Sequence, residues 1–95
     1  MLPEKRIETL LRKHVIQSNV GSFAIKYHGS AYTGRGIPDL IGSYKGRPFA
    51  VEVKADSGIT AYAQTLWVER FKRGGYVSGV VSNLVKFEEL FNDER

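Results

Sequence analysis

Cysteine is absent from the 95 residues, and there are only two histidines, His14 and His28. The lack of cysteine excludes disulfides, thiolate zinc sites and catalysis by a cysteine nucleophile. Long apolar runs are also missing, whereas a membrane-spanning helix needs about 20 consecutive apolar residues. No charged segment followed by an apolar run opens the chain. We therefore expect an unprocessed cytoplasmic protein that does not enter a membrane.

The composition is that of a folded protein, with 42% hydrophobic and 25% charged residues. The length suits a single domain over residues 1–95. A chain of this size has a modest core, because folding buries only about two thirds of its unfolded surface. A small core favours association with a partner, such as a second copy of the chain.

Charge is unevenly distributed along the chain. The formal net charge is +4, but residues 86–95 carry a balance of −2 and the first 85 residues carry +6. A basic body is typical of proteins that bind a polyanion such as nucleic acid. Mild basicity is also common among small proteins of other kinds, so charge alone does not identify the partner.

Hydrophobic spacing and turn residues predict seven elements in the order α-β-β-β-α-β-α. The predicted helices cover about residues 3–19, residues 60–73 with Thr60 as cap, and a last helix capped by Ser82; the predicted strands cover residues 22–28, 39–44, 48–54 and 76–81. The predicted inward residues of the first two helices are Ile7, Leu10, Leu11, Val15, Ala63, Leu66, Trp67 and Phe71. Because the last strand follows a helix, we expect a mixed sheet flanked by helices, in the α/β class.

Acidic residues stand in two adjacent strands that are otherwise apolar. Asp39 follows Pro38 at the start of one strand, and Glu52 lies in the run Phe49-Ala-Val-Glu-Val, two residues before Lys54. Strand residues two apart point to the same side. If the two strands form a hairpin, Asp39 lies near Glu52 and Lys54 at one edge of the sheet.

Two neighbouring carboxylates repel one another, and a divalent cation removes that repulsion. Mg²⁺ prefers oxygen ligands and needs only one or two carboxylates from a protein. Such an ion can activate water and polarise a phosphoryl group, while Lys54 neutralises developing charge. The alternative is that Glu52 and Lys54 form a solvated pair on the sheet, since loosely spaced Asp and Glu-x-Lys patterns are common.

The run Gly36-Ile-Pro-Asp-Leu-Ile, a hairpin-length gap and then Val51-Glu-Val-Lys resembles the PD-(D/E)xK nucleases. More narrowly, the chain resembles the VRR-NUC family, which includes small stand-alone phage and bacterial proteins. The resemblance extends from the Ile7-Glu8 pair of the first helix to the strand that ends near Val81. It implies a restriction-endonuclease-like αβββαβ core.

The resemblance also implies roles for individual residues. Asp39, Glu52 and the backbone carbonyl of Val53 match metal ligands, and Lys54 matches the catalytic lysine. Glu8 matches a first-helix glutamate that reaches the metal, with Glu4 as the alternative one turn earlier.

Two further positions, Gln64 and Lys26, match the family less specifically, and Arg35 is a candidate because of its charge. Gln64 matches a catalytic-site glutamine whose amide can bond a carboxylate or a phosphate. Lys26 matches a commonly basic position on the first strand, and Arg35 lies in the loop before Gly36; both are candidates for DNA binding. Each of these side chains is alternatively a solvated surface residue.

The activity implied is a Mg²⁺-dependent DNA endonuclease that selects branched DNA, with Mn²⁺ able to substitute. Stand-alone members of the family are homodimers that resolve four-way (Holliday) junctions. A less selective nicking or restriction-type nuclease and a non-catalytic DNA-binding module are the alternatives. The expected location is the cytoplasm of a bacterium or of a phage-infected cell.

Overall fold

The predicted order of elements is present in the computed structural model, which describes residues 2–27, 36–55 and 60–92. The elements are α1 Glu4–Ser18, β1 Phe23–Lys26, β2 Leu40–Tyr44, β3 Arg47–Val53, α2 Tyr62–Arg73, β4 Val77–Val81 and α3 Leu84–Asn92. Most of the elements are slightly shorter than predicted, whereas β3 keeps its predicted length and begins and ends one residue earlier. Asp39 and Lys54 therefore lie just outside β2 and β3. The predicted loop 29–36 lies outside the described residues except for Gly36.

The four strands form one mixed sheet in the order β1-β2-β3-β4. β1, β2 and β3 pair antiparallel, and β4 pairs parallel to β3 after the α2 crossover. Such a crossover is required when a parallel strand follows in the same sheet. The α/β class and the mixed sheet predicted from the sequence are therefore confirmed.

A two-residue turn joins β2 to β3 and sets their register. Lys45 and Gly46 both have positive φ, at 50° and 83°. Two consecutive residues of positive φ match the twist of a hairpin, where Asn-Gly and Asp-Gly are the common choices. Tyr44 therefore pairs with Arg47, and the same register pairs Leu40 with Val51, four residues further from the turn on each strand.

The main core lies between α1, α3 and one face of the sheet. Its buried residues are Ile7, Leu11, Val15, Ala24, Leu40, Tyr44, Phe49, Val51, Val53, Val77, Val81 and Phe87. Phe49 and Phe87 meet edge to face, with ring centroids 5.3 Å apart. The alternate residues of β3 point to the opposite face, where α2 packs against β3 and β4.

Two details of α2 and α1 differ from prediction. Val68 is the buried residue of α2, whereas Leu66 is 42% exposed. Leu10 of α1 is likewise 42% exposed. α2 contacts only two of the four strands, so its buried stripe is narrower than its apolar face. Over the described residues, no helix is long and apolar enough to cross a membrane.

The helix caps also differ by one residue from prediction. α2 has Ala61 at its N-cap in place of Thr60. At the start of α3, the side-chain oxygen of Asn83 accepts a hydrogen bond at 2.8 Å from the backbone N–H of Lys86, so Asn83 caps this helix and Ser82 does not. Before α3, Ser82 and Asn83 are both polar residues able to cap a helix, and the structure uses Asn83.

Candidate active site

Asp39, Glu52 and Lys54 come together at the end of β3. Because Leu40 pairs with Val51, the preceding Asp39 lies beside Glu52. The Asp39 Oδ2 atom accepts a hydrogen bond at 3.0 Å from the backbone N–H of Val53. The Lys54 Nζ atom lies 4.0 Å from Glu52 Oε2. The hairpin thus gathers the two carboxylates and the ammonium group that the sequence singled out.

Glu52 is an acidic residue in a buried position, with 3% of its surface exposed. Burial and the negative charge of Asp39 raise the pKa of Glu52 to about 8, although Lys54 opposes the shift. Within the described part of the chain, the Glu52 Oε1 atom is buried and has no hydrogen-bond partner. Leaving a carboxylate oxygen unpaired in the interior is costly unless a cation or a proton satisfies it.

Gln64 contacts Glu52 from the first turn of α2. Its Nε2 atom donates a hydrogen bond at 2.6 Å to Glu52 Oε2. Its Oε1 atom accepts one at 2.9 Å from the backbone N–H of Ala61, which holds the start of the helix. The amide therefore fixes Glu52 and α2 relative to each other, through a contact between residues twelve apart in the sequence.

Gly36 allows the Ile37-Pro38-Asp39 segment to approach α2 closely. Its φ is +85°, and a Cβ atom there would lie 2.5 Å from the carbonyl carbon of Ala63. Both the left-handed conformation and the lack of space favour glycine. The packing of this segment on α2, the helix that carries Gln64, therefore requires glycine at position 36.

Glu8 and Lys26 form an ion pair on the other side of Asp39. The Lys26 Nζ atom lies 2.6 Å from Glu8 Oε2 and 3.8 Å from Asp39 Oδ1. Burial lowers the pKa of Lys26, but the hydrogen bond to Glu8 and the charge of Asp39 outweigh burial and raise it overall. Lys26, a candidate for binding DNA, thus contacts two candidate metal ligands.

An open cavity lies beside these groups, between α1 and β1. It is lined by Glu4, Lys5, Glu8, Thr9, Arg12, Ala24, Ile25, Lys26 and Asp39. Lys5 and Arg12 were not singled out from the sequence, although each is three or four residues from Glu8 and so shares its helix face. Glu4 also faces this region, since its charge contributes to the raised pKa of Glu52.

Two predicted site residues remain, Val53 and Arg35, and neither role predicted for them is tested by the described contacts. Val53 is fully buried at the end of β3, and its N–H bonds to Asp39. Its carbonyl as a metal ligand stays a prediction. Arg35 lies outside the described residues. Across residues 2–27, 36–55 and 60–92, no three acidic or histidine side chains form a ready-made metal cluster.

The donor set nevertheless suits a hard divalent cation. Asp39 and Glu52 supply carboxylate oxygens, and the unpaired Oε1 atom of Glu52 has no other described partner. A divalent cation beside both groups would satisfy this oxygen and favour the ionised form of Glu52. The residues present therefore fit an ion such as Mg²⁺.

A second polar cluster, of His14, Tyr44 and Glu88, joins α1, β2 and α3 away from this site. The His14 Nε2 atom lies 2.7 Å from Glu88 Oε2, and the Tyr44 hydroxyl donates to the same oxygen. Burial and this contact with Glu88 raise the pKa of Tyr44 to about 12. Burial opposes ionisation of Glu88, but the hydrogen bonds from Tyr44 and His14 lower its pKa overall. The cluster ties both helices of the core to the sheet.

Structural comparison shows a restriction-endonuclease-like α/β fold. One solved structure, a "VRR_NUC domain protein", aligns with a TM-score of 0.71 and 18% identity over 96% of this chain and 86% of that chain. Another, a "VRR_NUC domain", aligns with a TM-score of 0.70 and 21% identity over 97% of each chain. The architecture of this chain is therefore that of the VRR-NUC domain, as the motifs suggested. No protein-family model matches the sequence, and no curated protein matches it either.

Proposed function

We propose that the protein is a nuclease of the PD-(D/E)xK class that hydrolyses DNA phosphodiesters with a bound Mg²⁺ ion. The observation that carries the proposal is the contact of Asp39, Glu52, Lys54 and Gln64 at the end of β3, within a VRR-NUC-like fold. A buried glutamate beside a second carboxylate destabilises a fold, so its presence points to a chemical task.

Asp39 and Glu52 would hold the ion, with the carbonyl of Val53 as a third protein ligand. A divalent cation supplies Lewis-acid activation of a water molecule and neutralises charge on the phosphate. Asp39 is held for this role by the Val53 N–H, and Glu52 is held by the Gln64 amide. Mn²⁺ is expected to substitute, because it accepts the same oxygen ligands.

Lys54 is the candidate for the positive charge at the reacting phosphate. Its Nζ atom lies near Glu52 Oε2, and its side chain is 21% exposed. Hydrolysis joins the oxygen of water to phosphorus and breaks the bond to the leaving sugar oxygen, which takes up a proton. An ammonium group at this edge of the sheet orients the water and stabilises charge that develops on the phosphoryl oxygens.

Cleavage of labelled DNA tests this assignment. We expect activity to vanish with EDTA and to return with Mg²⁺ or Mn²⁺. Asp39→Asn and Glu52→Gln should abolish cleavage while the circular dichroism spectrum stays unchanged. Glu69→Gln is the matched control, because Glu69 is 55% exposed on α2 and its one ion pair with a described residue is to Lys72, one turn along the helix. Cleavage by either site variant at near the wild-type rate would contradict the proposal.

Lys54→Ala separates chemistry from binding. Cleavage should fall by about two orders of magnitude or more, the usual range for loss of a transition-state charge contact. DNA affinity should change little, because phosphate contacts are shared among many basic side chains. A variant that loses binding and cleavage in equal measure would assign Lys54 to DNA binding alone.

We propose further that the working unit is a homodimer that resolves four-way junctions. One chain carries one candidate site, whereas symmetric resolution needs cuts in two opposed strands. A twofold dimer provides two equivalent sites through one self-complementary surface. Exposed apolar residues such as Leu10 of α1 and Leu66 of α2 are compatible with a contact on either helix.

Light scattering and a comparison of substrates test the dimer and the substrate together. The wild type should be a dimer at micromolar concentration and should cleave four-way junctions faster than linear duplex. A monomer that cuts both substrates equally would favour a nicking or restriction-type nuclease. Binding of DNA without cleavage in Mg²⁺ and Mn²⁺ would favour a non-catalytic module.

A further inference from the structure

Lys26 lies between two carboxylates that both face the candidate metal site. Its Nζ atom is 2.6 Å from Glu8 Oε2 and 3.8 Å from Asp39 Oδ1. Glu8 is well shielded, with 14% of its side chain exposed, and Lys26 has 28% of its side chain exposed. The three side chains come from α1, β1 and the residue before β2, so their contact depends on the packing of α1 on the sheet.

We infer that the ammonium group of Lys26 occupies the position between Glu8 and Asp39 that a second metal ion would need. The site therefore binds one divalent ion. This inference rests on the proposed function, because it concerns the number of ions at the same site. It makes Lys26 a positioning residue. Glu8 then acts by holding Lys26, in place of coordinating the metal directly.

The orientation of Asp39 supports this arrangement. Its Oδ2 atom accepts a hydrogen bond from the N–H of Val53, the residue that follows Glu52. Its Oδ1 atom is the oxygen that approaches Lys26. The Oδ2 side of the Asp39 carboxylate is therefore available for an ion shared with Glu52, whereas the Oδ1 side faces the ammonium group of Lys26. A second ion would have to displace Lys26 from both acids.

The local charge balance points the same way. The groups in direct contact are the carboxylates of Glu8, Asp39 and Glu52 and the ammonium groups of Lys26 and Lys54, a formal balance of −1 with every group ionised. One divalent ion changes this balance to +1, which a single phosphodiester of DNA neutralises. A second ion would leave an excess of positive charge in a site that is partly shielded from water, where repulsion is strong.

Binding of Mn²⁺ to the full-length, metal-free protein tests the inference without measuring cleavage. Electron paramagnetic resonance of free Mn²⁺ counts the ions that each chain removes from solution. We expect one Mn²⁺ per chain for the wild type and for Lys26→Arg, which keeps the charge. Lys26→Met should bind two, or bind the first ion about tenfold more tightly, because the competing charge is gone.

Two further variants check the roles of the partners. Lys13→Met is the matched control, since Lys13 is an exposed lysine of α1 outside the cavity lining, and it should bind one ion with unchanged affinity. Glu8→Gln should keep one ion per chain. It also provides a test if Lys26→Met fails to fold, because loss of Mn²⁺ binding in Glu8→Gln would make Glu8 a direct ligand and overturn the inference.

The outcomes distinguish this inference from the proposed function. Two ions bound to the wild type, or one ion bound with unchanged affinity to a folded Lys26→Met, would overturn the inference and leave the nuclease proposal standing. No binding of Mn²⁺ by the wild type at millimolar concentration would overturn both.

Discussion

Glu52→Gln should stabilise the metal-free protein while it removes activity. Glu52 is buried beside Asp39, and its Oε2 atom accepts a hydrogen bond from Gln64. Glutamine has nearly the same shape and keeps an oxygen that accepts from Gln64. Its amide NH₂ group would face Asp39 as a donor, so repulsion between two acids becomes an attraction. A residue retained for function should then be replaceable with a gain in stability.

The size of the effect follows from the pKa of Glu52, which burial and Asp39 raise from 4.5 to about 8. Because the folded-state pKa is above the unfolded one, stability is greatest below pH 4.5 and is lost as the pH rises towards 8. One pKa unit corresponds to about 1.4 kcal/mol. At pH 7 the ionisable residue therefore costs about 3 kcal/mol, and at pH 5 it costs less than about 1 kcal/mol.

Thermal unfolding in EDTA from pH 5 to pH 9 measures the difference. We expect Glu52→Gln to unfold at least about 10 °C above the wild type at pH 7 and within a few degrees of it at pH 5. Mn²⁺ should raise the Tm of the wild type and leave that of the variant unchanged. Glu69→Gln should follow the wild type throughout. Equal Tm values for wild type and Glu52→Gln at pH 5 and pH 8 would refute the reasoning.

Three other predictions concern the frame of the site and its partner. Gly36→Ala should lower the free energy of unfolding, measured in urea, by about 3 kcal/mol or more, because the new Cβ collides with Ala63. Gly46→Ala is the control, since Gly46 has a similar φ but open space around it, and it should cost about 1 kcal/mol. Similar losses for the two variants would show that the close approach of Gly36 to α2 is unimportant. Gln64→Leu should destabilise the fold by about 1 to 3 kcal/mol and slow cleavage, because Glu52 loses a donor; wild-type kinetics would remove Gln64 from the site. The logarithm of the DNA association constant should fall linearly with the logarithm of the salt concentration, with a slope of about −0.9 per phosphate contact. An affinity that does not change with salt would contradict binding through phosphates.

The order of elements and the central hairpin were predictable from the sequence. The helical spacing of apolar residues in α1 and the apolar runs of β2 and β3 are local signals, because each element buries its own side chains. The short predicted gap at residues 45–47 required a tight turn, which brings Asp39 near Glu52. The structure shows that the turn is Lys45-Gly46 alone, with Arg47 paired to Tyr44, and this register places Asp39 beside Glu52. Local patterns therefore determined the most informative pair of residues.

Other features depended on how far each helix covers the sheet. Helical spacing identifies the apolar face of α2 but not the width of the sheet beneath it, so it did not single out Val68 or show that Leu66 is exposed. The same limit applies to the cap of α3, where the neighbouring Ser82 and Asn83 offer similar hydrogen bonds and tertiary packing selects Asn83.

The partners within the site were decided by tertiary structure. Sequence made Glu8 a candidate metal ligand and Lys26 a candidate DNA contact, and the packing of α1 on the sheet brings them together as an ion pair. The contact of Gln64 with Glu52 depends in the same way on α2. Long polar side chains reach several ångströms from the backbone, so small differences in helix position change which charges meet. No local pattern in the sequence specifies the position of a helix on the sheet.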